Sequence, residues 1–314
     1  MIFEARQVQR SVGYYLHHTI FKTTVPNIKT ASNLDIAPEI AQLHPKIIVP
    51  STSGTLSGGP TIADAKLLVR GKQATAYGSV QSLGQSLLTS SDRRTEVTNP
   101  SISPWQMICL LKITAKDGSS FIGTGWIAGP RLVVTAGHCL YHEDLLGGWA
   151  DDVQVLPGHC DSLPATTYKG LRFETSMEWR YKGDENLDIG AVFVAEDIGS
   201  IHGTFGVGTY PENFYRERLV NISGYPIDYY GDAQVHHANR IKTVTKSKLY
   251  YDVDTEQGQS GSPVWVYESD ELNNPIVIGV HAHGAGNTDD GNSGVRITHQ
   301  VFQLINGWLQ KPST

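Results

Sequence analysis

Residues 254–265 read DTEQGQSGSPVW, a serine between Gly258 and Gly261 at the mouth of an apolar run that continues to Tyr267. Glycines at that spacing permit a tight backbone turn that aims successive N–H groups at one point. A serine hydroxyl held there attacks a carbonyl only if an imidazole takes its proton, a carboxylate orients the imidazole, and N–H donors receive the oxyanion. Such turns also join strands in inert proteins, so Ser260 needs partners elsewhere in the chain. His138 stands in LVVTAGHCL (132–140), where a strand ends at small residues that let an imidazole project into a cleft. Asp188 stands in ENLDIGAVFV (185–194), directly before an apolar strand where an unpaired carboxylate is costly.

Outward from these three positions the chain reads as one strand after another. WQMICLLKI (105–113), FIGTGWIAG (121–129) and RLVVTA (131–136) are each bounded by Gly, Pro or Asp. From about residue 205 a second set follows, with RLVNISGYP (218–226), KLYYDVD (248–254), SPVWVY (262–267) and IVIGVHA (276–282) separated by polar turn-rich stretches. With 32 glycines among short β-branched and aromatic runs, the body is expected to be all-β, a barrel or a sandwich, without a βα alternation. The order His, Asp, Ser, with gaps of 50 and 72 residues, puts base and orienter in the first β unit and nucleophile in the second. A cleft between the two units follows. The tail THQVFQLINGWLQ (298–310) breaks the pattern, because Val301, Phe302, Leu304, Ile305, Trp308 and Leu309 recur at helical spacing after Thr298, a candidate N-cap.

The 314 residues suffice for a sizeable core, and a formal charge of -6 with a pI near 6.0 gives no basic footprint for nucleic acid or an anionic membrane. No run approaches the roughly 18–20 apolar residues that span a bilayer, and the opening MIFEARQVQRSVGYYLHH has no apolar signal-like core. Cys109, Cys139 and Cys160 are too few for a disulfide framework and are not spaced as a zinc site, and attack by a serine with an imidazole base requires no metal or cofactor. Residues 1–85 differ in composition. They hold short apolar runs at 47–49 and 65–69 around the Gly/Ser-rich STSGTLSGGP (51–60), and read as a pro-segment or arm.

Taken together, TGW (124–126), TAGHC (135–139), the strand after Asp188, ISGYP (222–226) and GQSGSPV (258–264) resemble the chymotrypsin-like serine proteases, and among them the bacterial glutamyl endopeptidases. The resemblance runs from about residue 86 to the C-terminal helix. It implies two six-stranded antiparallel β-barrels (about 100–200 and 201–296) and a C-terminal helix (about 298–310), preceded by a propeptide over 1–85. It also implies a triad of His138, Asp188 and Ser260, an oxyanion hole from the N–H groups of Gly258 and Ser260, and cleavage after Glu, less often Asp. Thr255 and His281 fall where that group holds the substrate carboxylate, and Gly284 where the extended substrate binds as an added strand. His283 is the alternative pocket residue, or else lies beside the substrate main chain. Gly123 occupies the place of the usual disulfide partner of Cys139, which leaves pairing with Cys109 or Cys160 open and buried free thiols the simpler expectation. SLLTSSDRRTEVTN (86–99) resembles the mature N-terminus of the group, which implies processing near Gln85 and Ser86. Partners are expected to be protein or peptide substrates of a monomeric enzyme. The group's extracellular location stands against the absence of a visible signal peptide. The rival readings are the same chemistry with another specificity, and a catalytically silent peptide-binding protein of this fold.

Overall fold

The computed structural model describes residues 92–267, 275–284 and 291–312, together with three short strands at 30–32, 65–67 and 80–82. Runs such as ICLLKIT and FIGTGWIAG are apolar on both faces, which suits strands whose inner side fills a barrel and whose outer side is covered by a second layer. Six of them close the first barrel: β1 (Ile108–Thr114), β2 (Ser120–Gly129), β3 (Leu132–Thr135), β4 (Asp152–Pro157), β5 (Tyr168–Ser176) and β6 (Gly190–Val194). Their order is β5-β4-β1-β2-β3-β6, with β5 pairing back onto β6. The second barrel comprises β7 (Leu219–Gly224), β8 (Val235–Val244), β9 (Lys248–Tyr251), β10 (Pro263–Tyr267), β11 (Pro275–His283) and β12 (Asn292–Arg296). It runs β7-β10-β11-β12-β9-β8 and closes by β7 pairing with β8. All twelve pairings within the barrels are antiparallel, so the two-barrel architecture expected from the sequence is the one observed.

Each barrel has its own apolar filling, Leu111, Ile113, Phe121, Val133 and Val192 in the first and Val220, Ile222, Leu249, Val264 and Ile278 in the second. A third cluster joins them. Trp126 of the first barrel and Trp265 of the second both meet Phe205 at ring distances of 6.0 and 5.8 Å, tilted toward edge-to-face contact. This aromatic wedge packs the two barrels against each other.

The C-terminal helix, His299–Leu309, begins where Thr298 Oγ1 accepts the Val301 N–H at 3.3 Å. Its buried face includes Val301, Phe302, Leu304, Ile305 and Trp308. From the end of the second barrel it returns to the first, where Trp308 Nε1 and Lys311 Nζ both donate to Glu174 Oε2 of β5, at 3.0 and 2.7 Å. Burial of a carboxylate on a barrel strand is sustained by these donors together with Arg172 at 3.4 Å. At the other end of the domain, Thr95–Val97 pairs with β8, and Arg94, fully buried, is held by Asp92 and Asp228 at 2.8 and 2.5 Å. Of the N-terminal segment, Thr30–Ser32 pairs with β5, Ala65–Leu67 with Thr95–Val97, and Val80–Ser82 runs parallel to the start of β2. The 47–49 run, the Gly/Ser-rich stretch and the Gln85–Ser86 junction lie outside the described residues.

Because Trp308 is buried and ties the helix to the first barrel, Trp308→Ala is expected to lower the unfolding free energy by about 3–5 kcal/mol in urea titrations. An unchanged midpoint would show that the helix is peripheral to the fold.

Candidate active site

Strand pairing brings Asp188 to His138. Gly190 of β6 stands opposite Thr135 of β3, so the chain entering β6 and the chain leaving β3 emerge at the same end of the barrel. The 3-10 turn Gly137–Cys139 carries His138, and Glu185–Leu187 leads into Asp188. Hydroxyls from the end of β5 hold the carbonyls on either side of Asp188: Ser176 Oγ donates to Leu187 O at 2.6 Å and Thr175 Oγ1 to Ile189 O at 2.7 Å. Its carboxylate, wholly removed from solvent, receives the His138 main-chain N–H on Oδ1 at 2.8 Å and pairs through Oδ2 with His138 Nδ1 at 2.6 Å. Burial disfavours both charges, yet each group outweighs it for the other, so that Asp188 is held below the ordinary carboxylate range and His138 is raised well above that of a free imidazole. An ionised Asp188 accepting at Nδ1 places the proton there and leaves Nε2, which is buried and makes no hydrogen bond, as the basic nitrogen.

The Ser260 loop is fixed from both barrels. Thr124 of β2 donates its N–H to Ser260 O at 2.8 Å and its hydroxyl to Gly258 O at 2.9 Å, while that hydroxyl accepts the Tyr225 N–H at 3.0 Å. From β11, His281 O accepts the Gly261 N–H at 2.7 Å. Gln259 Oε1 accepts the Glu256 N–H at 2.9 Å, closing the loop on itself. Gly258 and Gly261 have φ of 93° and 90°, and a Cβ on Gly261 would fall 2.0 Å from Thr124 O. No other residue fits there without moving the serine. Cys139 Sγ lies 3.7 Å from Ser260 O, which seats the Ser260 backbone against the residue that follows His138.

The specificity residues nominated from the sequence gather on the second barrel. His281 is buried on β11 with Nδ1 2.8 Å from the Tyr251 hydroxyl of β9. Burial, with lesser contributions from the nearby rings of His283 and His138, pulls its pKa down to about 3, so the ring is neutral at ordinary pH. Thr255 is buried, and its Oγ1 accepts from Asn292 Nδ2 at 2.8 Å. Asp254 beside it is clamped by Arg93, whose main-chain N–H and guanidinium donate at 2.8 to 3.1 Å. Gly284 is half-buried at the exit of β11. Three supports escaped the sequence reading, namely Tyr251, Asn292 and the bridging role of Thr124. TGW signalled Thr124 as part of a motif, but nothing local signals its hydrogen bonds across the barrels.

His283 does not share the partner of His281. Its Nε2 lies 3.3 Å from Asp188 Oδ2, on the first barrel's side of the cleft. The three cysteines are free thiols, with Cys109 and Cys139 buried, and the Cβ that Gly123 lacks would stand 3.0 Å from Cys139 Sγ. Among the described residues no helix is long and apolar enough to cross a membrane. One group has cation-ligand spacing there, His159, Asp161 and Asp232, and it shares no member with His138, Asp188 and Ser260.

Comparison with known proteins agrees with the fold. The trypsin family model matches residues 93–305. A glutamyl endopeptidase of Bacillus licheniformis is 38% identical over 221 residues, covering 69% of this chain and 67% of the relative. A Bacillus subtilis protein named extracellular metalloprotease is 31% identical, over 77% of this chain and 75% of its own length. A solved Glu endopeptidase in complex with MPD superposes with a TM-score of 0.62 at 25% identity, over 72% of this chain and 100% of that one. With more than half its length matched by the family model and the double barrel formed, the chain belongs to the trypsin family and is a serine endopeptidase.

Proposed function

We propose that the enzyme hydrolyses peptide bonds on the carboxyl side of glutamate, less often aspartate, through an acyl-enzyme on Ser260. The observation that carries this reading is the buried His138–Asp188 pair, with its 2.6 Å contact, set against a serine loop that Thr124 and His281 pin from opposite barrels. In this reading His138 Nε2 takes the Ser260 proton as the hydroxyl attacks, and returns it to the leaving amine. Asp188 keeps the imidazole in the Nδ1–H tautomer and stabilises the imidazolium that forms. The N–H groups of Gly258 and Ser260 receive the oxyanion, and the hydrogen bond from Thr124 to Gly258 O fixes the peptide plane that follows Gly258. Water then repeats the sequence on the ester.

Glutamate preference rests on the chemistry of the pocket. A Tyr251 hydroxyl donating to His281 Nδ1 puts the ring proton on Nε2, so that a neutral imidazole donates to the substrate carboxylate. Thr255, accepting from Asn292, keeps its own hydroxyl proton for the same anion. Similarity to enzymes named glutamyl endopeptidase supports the reading. Gly284 then offers its main chain to an extended substrate. Residues 1–85 act as a propeptide and 86–314 as the protease domain, a monomer with no nucleic-acid partner. The clamping of Arg93 and Arg94 onto the second barrel supports a mature segment that begins shortly before them.

Four outcomes test this. Ser260→Ala is expected to abolish labelling by a fluorophosphonate and hydrolysis of glutamyl esters, with a chelator leaving the wild-type rate unchanged. Chelator-sensitive, fluorophosphonate-insensitive turnover would favour metal-dependent hydrolysis instead. Asp188→Asn is expected to lower kcat by about 10⁴. The carboxylate raises the His138 pKa and the base must be neutral, so its loss should also move the acid limb of kcat/KM to lower pH. His281→Ala is expected to cut kcat/KM for glutamyl substrates by roughly ten- to a hundredfold while sparing phenylalanyl ones. N-terminal sequencing of active enzyme should read from near Ser86, and an active form that starts at Met1 would remove the propeptide reading.

A further inference from the structure

We propose that His283 is a positioning residue for Asp188, a second imidazole seated on the carboxylate that orients His138. The inference rests on the triad reading above. Oδ1 of Asp188 is taken by the His138 main-chain N–H, and Oδ2 faces both His138 Nδ1 at 2.6 Å and His283 Nε2 at 3.3 Å. Among the described residues these two histidines are the basic groups within ion-pair reach of the carboxylate. Their ring centres are 6.0 Å apart. His283 Nε2 is itself buried and makes no hydrogen bond, so the Asp188 oxygen is the acceptor within its reach after a small turn of the ring.

The backbone explains how one strand serves both barrels. In a regular strand His281 and His283 would point to the same face. Here the pairing of β11 with β12 shifts register between them, His281 standing opposite Gly294 and His283 opposite Ser293. A bulge of this kind re-aims a side chain. His281 therefore turns to Tyr251 in the second barrel, and His283 crosses the cleft to Asp188 in the first. Behind His283 stand Glu185, Lys248 and, along the strand, His281, with Lys248 Nζ and Glu185 Oε2 paired at 2.6 Å. Burial, the largest influence, together with His138 and Lys248 outweighs the pull of Asp188 and Glu185 and keeps the His283 pKa low. The ring thus serves as a neutral N–H donor to Asp188 and does not compete with His138 as a second cation.

The test measures kcat and KM on a glutamyl peptide for wild type, His283→Ala, His283→Asn, Asp188→Asn and the double variant, in the processed enzyme, with folding checked by circular dichroism. His283→Ala is expected to lower kcat roughly ten- to a hundredfold. KM should stay within about twofold, and His283→Asn, which keeps an amide donor and guards against a misfolded alanine variant, should recover most of the loss. In the Asp188→Asn background, removing His283 should cost less than about twofold more, because its effect passes through the carboxylate. A folded His283→Ala enzyme with unchanged kcat, a change confined to KM, or a full multiplicative loss in the Asp188→Asn background would overturn the proposal. Wild-type activity in Asp188→Asn alone would instead bring down the triad on which it rests.

Discussion

The structure depends on a carboxylate kept ionised where no water reaches it. Removing such a charge from solvent costs several kcal/mol, and the cost is offset only by donors fixed in place before the charge arrives. At Asp188 those donors are the main chain and ring of His138, and their positions follow from the β3–β6 register and from the hydroxyls of Thr175 and Ser176. The barrel therefore works as a clamp on one carboxylate–imidazole pair. In the proposed chemistry its tightness matters because the same contact that keeps Asp188 ionised decides which nitrogen of His138 is basic.

The proposed chemistry further requires that a loop from one barrel meet an imidazole from the other. Packing of Trp126, Phe205 and Trp265 holds the two barrels against each other, but apolar contact is not directional enough to aim a hydroxyl. Direction comes from Thr124, whose main chain and side chain both bind the Ser260 loop and whose hydroxyl also accepts from Tyr225. Gly258 and Gly261 have the backbone geometry, and Gly261 the absence of a side chain, that this approach demands. The C-terminal helix adds a strap through Trp308 and Glu174, so relative motion of the barrels is opposed at the face where that strap docks as well as in the cleft.

Much of this was legible in the chain because it is local. Strand runs bounded by turn residues foretold two β units, and the spacing after Thr298 foretold a helix that the structure places at His299–Leu309. His138, Asp188 and Ser260 each carry a short motif whose neighbours are small or apolar for a reason that chemistry supplies. What stayed hidden is set by pairing partners far away in sequence. The direction of His283 depends on a register shift against Ser293 and Gly294, and the Thr255 hydroxyl is engaged by Asn292. Likewise Gly123 reads as a lost disulfide partner, whereas in three dimensions the Cys139 thiol lies beside it, within contact of any Cβ placed there.

In the proposed triad Asp188 holds the proton of His138 on Nδ1 through a short, water-excluded hydrogen bond. Proton NMR of the enzyme with ¹⁵N-labelled histidine tests it most directly. An Nδ1-bound proton is expected to resonate far downfield of the amide envelope, protected from exchange and absent from the Asp188→Ala variant. A wild-type spectrum in which the His138 proton resides on Nε2, or in which the downfield signal survives loss of Asp188, would contradict it.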